Sequence, residues 1–162
     1  KPFQFISGGY SVVGHYALKE NWHLGANVFS SELSVGLHNL VFNFGEAIDL
    51  QANQSVAFNV SARYFLNKNK GAKGWVVRIT MGYEWWNLTD LNTEQEVGYE
   101  YLYLSPRIGY LWYPFKKERF YLIGEAIGVL PIFTDGEVAL GNSTIELRSF
   151  FPIPGFALGY RF

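Results

Sequence analysis

Ser149 to Phe162 reads S-F-F-P-I-P-G-F-A-L-G-Y-R-F. Its even positions are Phe150, Pro152, Pro154, Phe156, Leu158, Tyr160 and Phe162. Its odd positions are Ser149, Phe151, Ile153, Gly155, Ala157, Gly159 and Arg161. One side is large and apolar to the end of the segment; the other is mostly small or polar. Successive side chains of a strand point to opposite faces, so a period of two predicts a β-strand. A bulky apolar face backed by a slim one fits the wall of a narrow barrel, slim face inward.

The same alternation repeats upstream. From Gly9 to Leu18, Tyr10, Val12, Tyr16 and Leu18 share a face, and Ser11, Val13, His15 and Ala17 share the other. The K-E-N of residues 19–21 is a tight polar turn. Trp22, Leu24, Ala26 and Val28 then alternate with His23, Gly25, Asn27 and Phe29. Ser30 to Gln54 is irregular and acidic and is read as a long hairpin loop, with room for strand extensions. Val56, Phe58, Val60, Ala62, Tyr64 and Leu66 oppose Ser55, Ala57, Asn59, Ser61 and Arg63 in the cleanest strand. After the basic turn N-K-N-K-G-A-K-G, Trp75, Val77, Ile79, Met81, Tyr83 and Trp85 oppose Val76, Arg78, Thr80, Gly82, Glu84 and Trp86.

Thr89 to Gly98 reads as an acidic loop. Leu102, Leu104, Pro106, Ile108, Tyr110, Trp112 and Pro114 then oppose Tyr103, Ser105, Arg107, Gly109 and Leu111. K-K-E-R is a third basic turn, residues 120–133 form another strand, and Thr134 to Asn142 is the last acidic loop. Facing in the 120–133 strand is ambiguous, because Glu125 inside brings Ile127 and Val129 inside with it. A carboxylate facing hydrocarbon is costly, so Glu125 is placed inside or beside a bulge.

Composition agrees with strands that separate two environments. The chain has 162 residues, the length of one domain over 1–162, and 19% of them are aromatic. Mean hydropathy is +0.02. No window approaches the apolar length of a spanning helix. The absence of cysteine removes disulfides, thiolate metal sites and thiol catalysis. A net charge of −1 gives no support to a nucleic-acid partner.

Charge is distributed more tellingly than its sum. Lys19, Lys68, Lys70, Lys73, Lys116, Lys117 and Arg119 fall in the three short connections. Glu32, Glu46, Asp49, Asp90, Glu94, Glu96, Asp135 and Glu137 fall in or beside the long ones. Short basic turns thus alternate with long acidic loops, which gives an up-and-down barrel two unlike ends. Trp22, Trp75, Trp112, Tyr160 and Phe162 cluster at the basic end. Trp85, Trp86, Tyr99, Tyr101 and Phe150 cluster at the acidic end, and the two groups are read as aromatic girdles.

With the strands in place, the chain resembles the small outer-membrane β-barrel proteins of Gram-negative bacteria, the OmpA and OmpX type. The segments P-R-I-G-Y-L-W-Y-P-F-K-K-E-R-F-Y-L (Pro106 to Leu122) and F-F-P-I-P-G-F-A-L-G-Y-R-F are similar to those of barrels from the Bacteroidetes lineage. The resemblance implies an all-β, antiparallel up-and-down transmembrane barrel in the bacterial outer membrane. It also implies a C-terminal assembly signal in Phe156, Leu158, Tyr160 and Phe162. Seven strands are clear, whereas such barrels have an even count. Eight are expected, with an incomplete or irregular first strand, either missing upstream of this sequence or formed in part by residues 1–7 with a turn at Gly8-Gly9; a strand within Ser34 to Phe44 is the third way to reach that number.

The expected role is structural or accessory, as a subunit or partner of a larger cell-envelope complex. Expected partners are outer-membrane lipid, lipopolysaccharide, and other outer-membrane or periplasmic proteins. No cofactor, metal or catalytic residue is expected. Arg63, Arg78, Glu84, Arg107, Glu125 and Arg161 are predicted to point into the lumen and fill it with a polar, ion-paired network. Ser11 and His15 share a face, which keeps open an outer-leaflet enzyme of the lipid A deacylase or acyltransferase type; such a site needs an acid behind the histidine. His15, His23 and His38 lack metal-ligand spacing. A soluble lipocalin-like carrier of an apolar ligand is the other alternative, and it requires the apolar faces to point inward.

Overall fold

The computed structural model describes residues 10–33, 42–44, 50–67, 73–115, 119–134, 136–140 and 143–160. Among these the chain is all strand and turn. In chain order the strands are β1 (Tyr10–Ala17), β2 (Trp22–Leu33), β3 (Phe42–Phe44), β4 (Leu50–Phe65) and β5 (Gly74–Asp90). They continue with β6 (Gln95–Trp112), β7 (Phe120–Thr134), β8 (Val138–Leu140), β9 (Ser143–Leu147) and β10 (Phe151–Tyr160). Seven of them form one antiparallel sheet in the order β1-β2-β4-β5-β6-β7-β10, curled into a half-barrel. The other three form a small sheet, β3-β9-β8. A strand near Ser34 to Phe44 does exist, as β3, but it pairs with β9 and adds nothing to the half-barrel.

The period-two reading sets the facing of the large sheet. Along β5, Val76, Thr80, Gly82, Glu84, Trp86, Leu88 and Asp90 are buried, and Trp75, Val77, Ile79, Met81 and Trp85 are exposed. In β10, Pro152, Pro154, Phe156, Leu158 and Tyr160 are all exposed. Glu125 points inward from β7, with only 7% of its side chain exposed. From Trp75 to Trp85 the apolar stripe runs for about 34 Å along the strand, or about 26 Å at a tilt of about 40°.

Three expectations fail, each for a local reason. Ser55 was placed on the inner face but is exposed, because β4 carries a bulge between Gln54 and Val56. The extra residue restores Gln54 and Ala52 to the inside while Val56 and Phe58 stay on the outer side. Thr89 to Gly98 is not a loop: β5 and β6 continue through it and turn only at Leu91 to Glu94. Trp86, Tyr99 and Tyr101 are not girdle residues, since all three are buried inside the curl.

At the basic end, aromatic residues pair across neighbouring strands on the outer face. Trp22 packs on Tyr64 with ring centroids 5.0 Å apart, Trp75 on Tyr110 at 5.4 Å, and Phe120 on Tyr160 at 4.9 Å. Such pairs between neighbouring strands stabilise the sheet edge to edge. At the acidic end, Phe58 and Trp85 meet edge to face at 6.0 Å and Tyr83 and Trp85 pack tilted at 4.4 Å. Phe162 lies outside the described residues.

Prolines fix the direction of the ladder hydrogen bonds. Proline cannot donate, so the unbroken pairing of β10 with β7 must run through the odd residues of β10. The ring nitrogens of Pro152 and Pro154 therefore face the free edge, and the register of β10 with β7 is continuous through both. Pro106 has the opposite setting: its nitrogen faces β7, and the β6–β7 ladder skips from Leu104 to Arg107 at that point. β7 then bulges at Ile132, which leaves Ile132 and Phe133 both exposed.

Inside the curl lie two apolar layers with a polar layer between them. Phe65, Val76, Leu111 and Ile123 cluster toward the basic end. Trp86, Leu88, Tyr99, Tyr101 and Tyr103 cluster toward the acidic end, where Leu140 and Ile145 of the small sheet cover them. Tyr103 lies across Gly82 of β5; a Cβ on Gly82 would meet the ring at 2.5 Å. Gly82→Val is expected to displace Tyr103 and destabilise the fold by about 1–3 kcal/mol, read as a lower urea midpoint in detergent.

The β5–β6 turn is held by Asp90. Its carboxylate accepts the Asn92 N–H at 3.0 Å and the Thr93 hydroxyl at 2.8 Å, and its carbonyl accepts the Glu94 N–H at 2.8 Å. The Asn92 backbone bond, then the Thr93 hydroxyl bond, lowers the Asp90 pKa below its usual value. A depressed carboxylate pKa contributes stability that is present above the unfolded value and lost as pH falls through the folded one. Wild type is expected to melt above Asp90→Asn at neutral pH. The gap should close on acidification below the ordinary aspartate range, as followed by paired thermal melts.

Candidate functional site

The polar layer is built from adjacent registers of the central strands. Arg63 of β4 pairs with Arg78 of β5, and Arg78 pairs with Arg107 of β6. Neighbouring strands lie about 4.8 Å apart, so three guanidinium groups rise side by side from the inner face. His23 of β2 stands in register with Arg63 and extends the row. One register toward the acidic end, Ser61, Thr80 and Ser105 form a row of hydroxyls. Beyond them come Asn27, Asn59, Gly82 and Tyr103.

Each arginine has a different partner. Arg78 forms an ion pair with Glu125, with both oxygens accepting from Nη2. The two residues lie on β5 and β7, so the pair reaches across β6. Gly109 makes that reach possible: a Cβ there would meet the Glu125 Cγ at 2.7 Å. Arg63 Nη2 lies 2.8 Å from His15 Nε2. A guanidinium has no acceptor atom, so Nε2 accepts and the ring hydrogen sits on Nδ1. Arg107 donates through Nε to the Ser105 hydroxyl at 3.1 Å.

Glu84 is not part of the arginine cluster. It sits six residues beyond Arg78, about 20 Å along β5. Its Oε2 accepts from Gln54 Nε2 at 2.6 Å, Tyr101 OH at 2.6 Å and Trp86 Nε1 at 3.1 Å. The carboxylate is thus held by neutral donors within the upper aromatic layer. Sequence reasoning grouped Glu84 with the arginines because facing is legible from parity whereas height along the barrel is not. It also missed Gln54, Tyr101 and Trp86 as the groups that satisfy it.

Four predicted lumen residues, Arg63, Arg78, Arg107 and Glu125, are therefore brought together, and Glu84 is held apart. Arg161 and His38 lie outside the described residues. Phe156, Leu158 and Tyr160 form an outward apolar row on β10. Ser11 and His15 share the inner side of β1, yet Ser11 donates to Asn27 Oδ1 at 3.1 Å and His15 meets Arg63. His23 packs edge-on against Phe65 at 5.1 Å. Among the described residues no cluster of His, Cys, Asp and Glu has the geometry to hold a metal ion.

No family model, no curated protein and no solved structure matches the chain.

The Arg78–Glu125 pair is expected to behave as a buried charge pair. Glu125→Gln should cost about 3–5 kcal/mol by leaving Arg78 without its counter-charge. The double variant Arg78→Met/Glu125→Leu should recover most of that loss, because it removes both charges together. Urea midpoints of the wild type and the two variants, measured in detergent, test the coupling.

Proposed function

We propose that this chain is an integral β-barrel of a bacterial outer membrane, with a structural or accessory role in a larger cell-envelope complex. The observation that carries the reading is the facing of the large sheet. All seven strands present apolar residues on the convex side, while Arg63, Arg78, Glu84, Arg107 and Glu125 of the four central strands lie on the concave side. Val12 is 70% exposed and Tyr16 71%. An uninterrupted apolar surface over a whole sheet is unfavourable in water and favourable in a bilayer. Its estimated height is close to the apolar band of outer-membrane barrels, about 25 Å. The aromatic pairs at its basic margin occupy the position of an interfacial girdle. Lys19, Lys73 and Arg119 follow at the turns.

Closure into an eight-stranded barrel of the OmpA and OmpX type is part of this reading. β1 and β10 are the two edges of the sheet and run in the same direction, from acidic end to basic end. One further strand running the other way would be antiparallel to both and would close the cylinder. The filled polar interior favours a plugged wall over an open pore. A soluble carrier calls for the reverse facing, with apolar residues around a central ligand. Lipid, lipopolysaccharide and neighbouring envelope proteins are the partners that such a surface would meet.

Membrane fractionation with a heat-modifiability gel tests the reading. Outer-membrane partition and a mobility difference between boiled and unboiled samples are expected. A chain that remains soluble without detergent and runs identically in both samples would overturn it.

A further inference from the structure

The interior charge does not balance. At the level of the arginine row, three guanidinium groups face one carboxylate, Glu125, among the described residues. Two other inward carboxylates described on the central strands lie further along β5: Glu84, six residues on, is taken up by Gln54, Tyr101 and Trp86, and Asp90, at the end of the strand, by Asn92 and Thr93 of the turn. Buried cations need counter-charges, because the loss of hydration is not recovered from neutral neighbours alone.

Beside the row is a small cleft of about 20 Å³, lined by His15, Asn59, Ser61, Arg78, Thr80 and Arg107 among others. A space of that size admits one water-sized particle. Two atoms of its lining residues are buried without a hydrogen-bond partner: Arg78 Nε and Thr80 Oγ1. Thr80 is 2% exposed, so its hydroxyl cannot turn to solvent. Arg63 Nε, in the same row, is likewise buried and unpaired. Ser61, Arg107 and Asn59 bring further O–H and N–H groups to the same space. The cleft is rich in donors and has a local excess of positive charge. Asn59, Ser61 and Thr80 can accept as well as donate, so the hydrogen-bonding groups admit a water; the local excess of positive charge favours an anion.

We propose that this cleft binds a monatomic anion of chloride size, held by Arg78, Arg107 and Thr80 and balanced against the unpaired part of the arginine row. The small size of the cleft favours a monatomic ion over a tetrahedral oxyanion. The ion acts as the missing counter-charge of the polar layer, and its binding is linked to folding, since the arginines converge only when β4, β5 and β6 are paired.

The test uses the full chain folded in detergent, in sodium gluconate at constant ionic strength. Bromide or chloride replaces gluconate stepwise while the thermal midpoint is followed. A saturable rise with bromide and chloride is expected, and none with sulfate. Thr80→Val keeps the shape and removes the hydroxyl. It should match or exceed wild type in gluconate and lose at least about five-fold in apparent bromide affinity, a difference of about 1 kcal/mol. Bromide-soaked wild-type crystals should show an anomalous peak between Arg78 and Thr80, a readout that needs no variant. Superimposable melts in all salts would overturn the proposal. So would equal stabilisation by sulfate, which marks general screening, or a cleft with no anomalous peak.

Discussion

Everything in this fold depends on keeping two faces of one sheet apart over six consecutive pairings. A strand offers no intermediate option: a shift of one residue moves every side chain to the opposite face. Here a slip of β4, β5, β6 or β7 would carry Arg63, Arg78, Arg107 or Glu125, respectively, to the apolar surface. Bulges are therefore tolerated only where the faces have ceased to differ sharply. The β4 bulge at Ser55 lies just past the apolar stripe, with the Ser30 hydroxyl donating to the Gln54 carbonyl at 2.9 Å beside it. The β7 bulge at Ile132 falls at the matching upper margin and separates Leu130 from Phe133. Between these margins the register of β4 with β5 is continuous from Val56 to Phe65.

The same constraint explains how much of the fold was legible in the sequence. Within the apolar stripe one face is hydrocarbon-like and the other is not, so Val56 to Leu66, Trp75 to Trp86 and Leu102 to Leu111 announce themselves. Above the stripe the outer face turns polar. Asn87, Thr89, Glu96 and Gly98 give no contrast, and the continuation of β5 and β6 looks like a loop. Trp86 and Tyr101 were drawn to the girdle by residue type, although their parity with Glu84 and Tyr103 already placed them inside. The small sheet was illegible for another reason. Phe42 pairs with Leu147 across more than half the chain, and three-residue strands have no period to read.

The candidate site was half legible. Parity found its members; it could not say which would touch. Arg78 meets Glu125 because Gly109 leaves the intervening strand bare, a relation between three strands that no single-strand pattern contains. Arg63 meets His15 from two strands away. A network of mutually cancelling pairs was the natural expectation from Arg63, Arg78, Glu84, Arg107 and Glu125 on one face. Vertical separation of Glu84 from the arginines breaks that symmetry and leaves the layer with excess positive charge.

The free edges carry the last structural consequence. Odd residues of β10 bond to β7, so even residues present their backbone to the seam. At the acidic end those residues are Pro152 and Pro154, which offer carbonyls but no N–H. At the basic end they are Phe156, Leu158 and Tyr160, which offer both. A strand that closes the barrel would therefore form a full ladder in the lower half of the seam and a depleted one above. Exposed edges invite pairing with any other chain, and proline on an edge is a known means of blunting it. The two prolines thus limit promiscuous pairing where the edge meets the acidic end, while the row that ends in Tyr160 keeps the donors needed for closure. The outward face of that row lies against lipid in the proposed barrel, so a single ten-residue strand serves as wall, girdle and half of the seam.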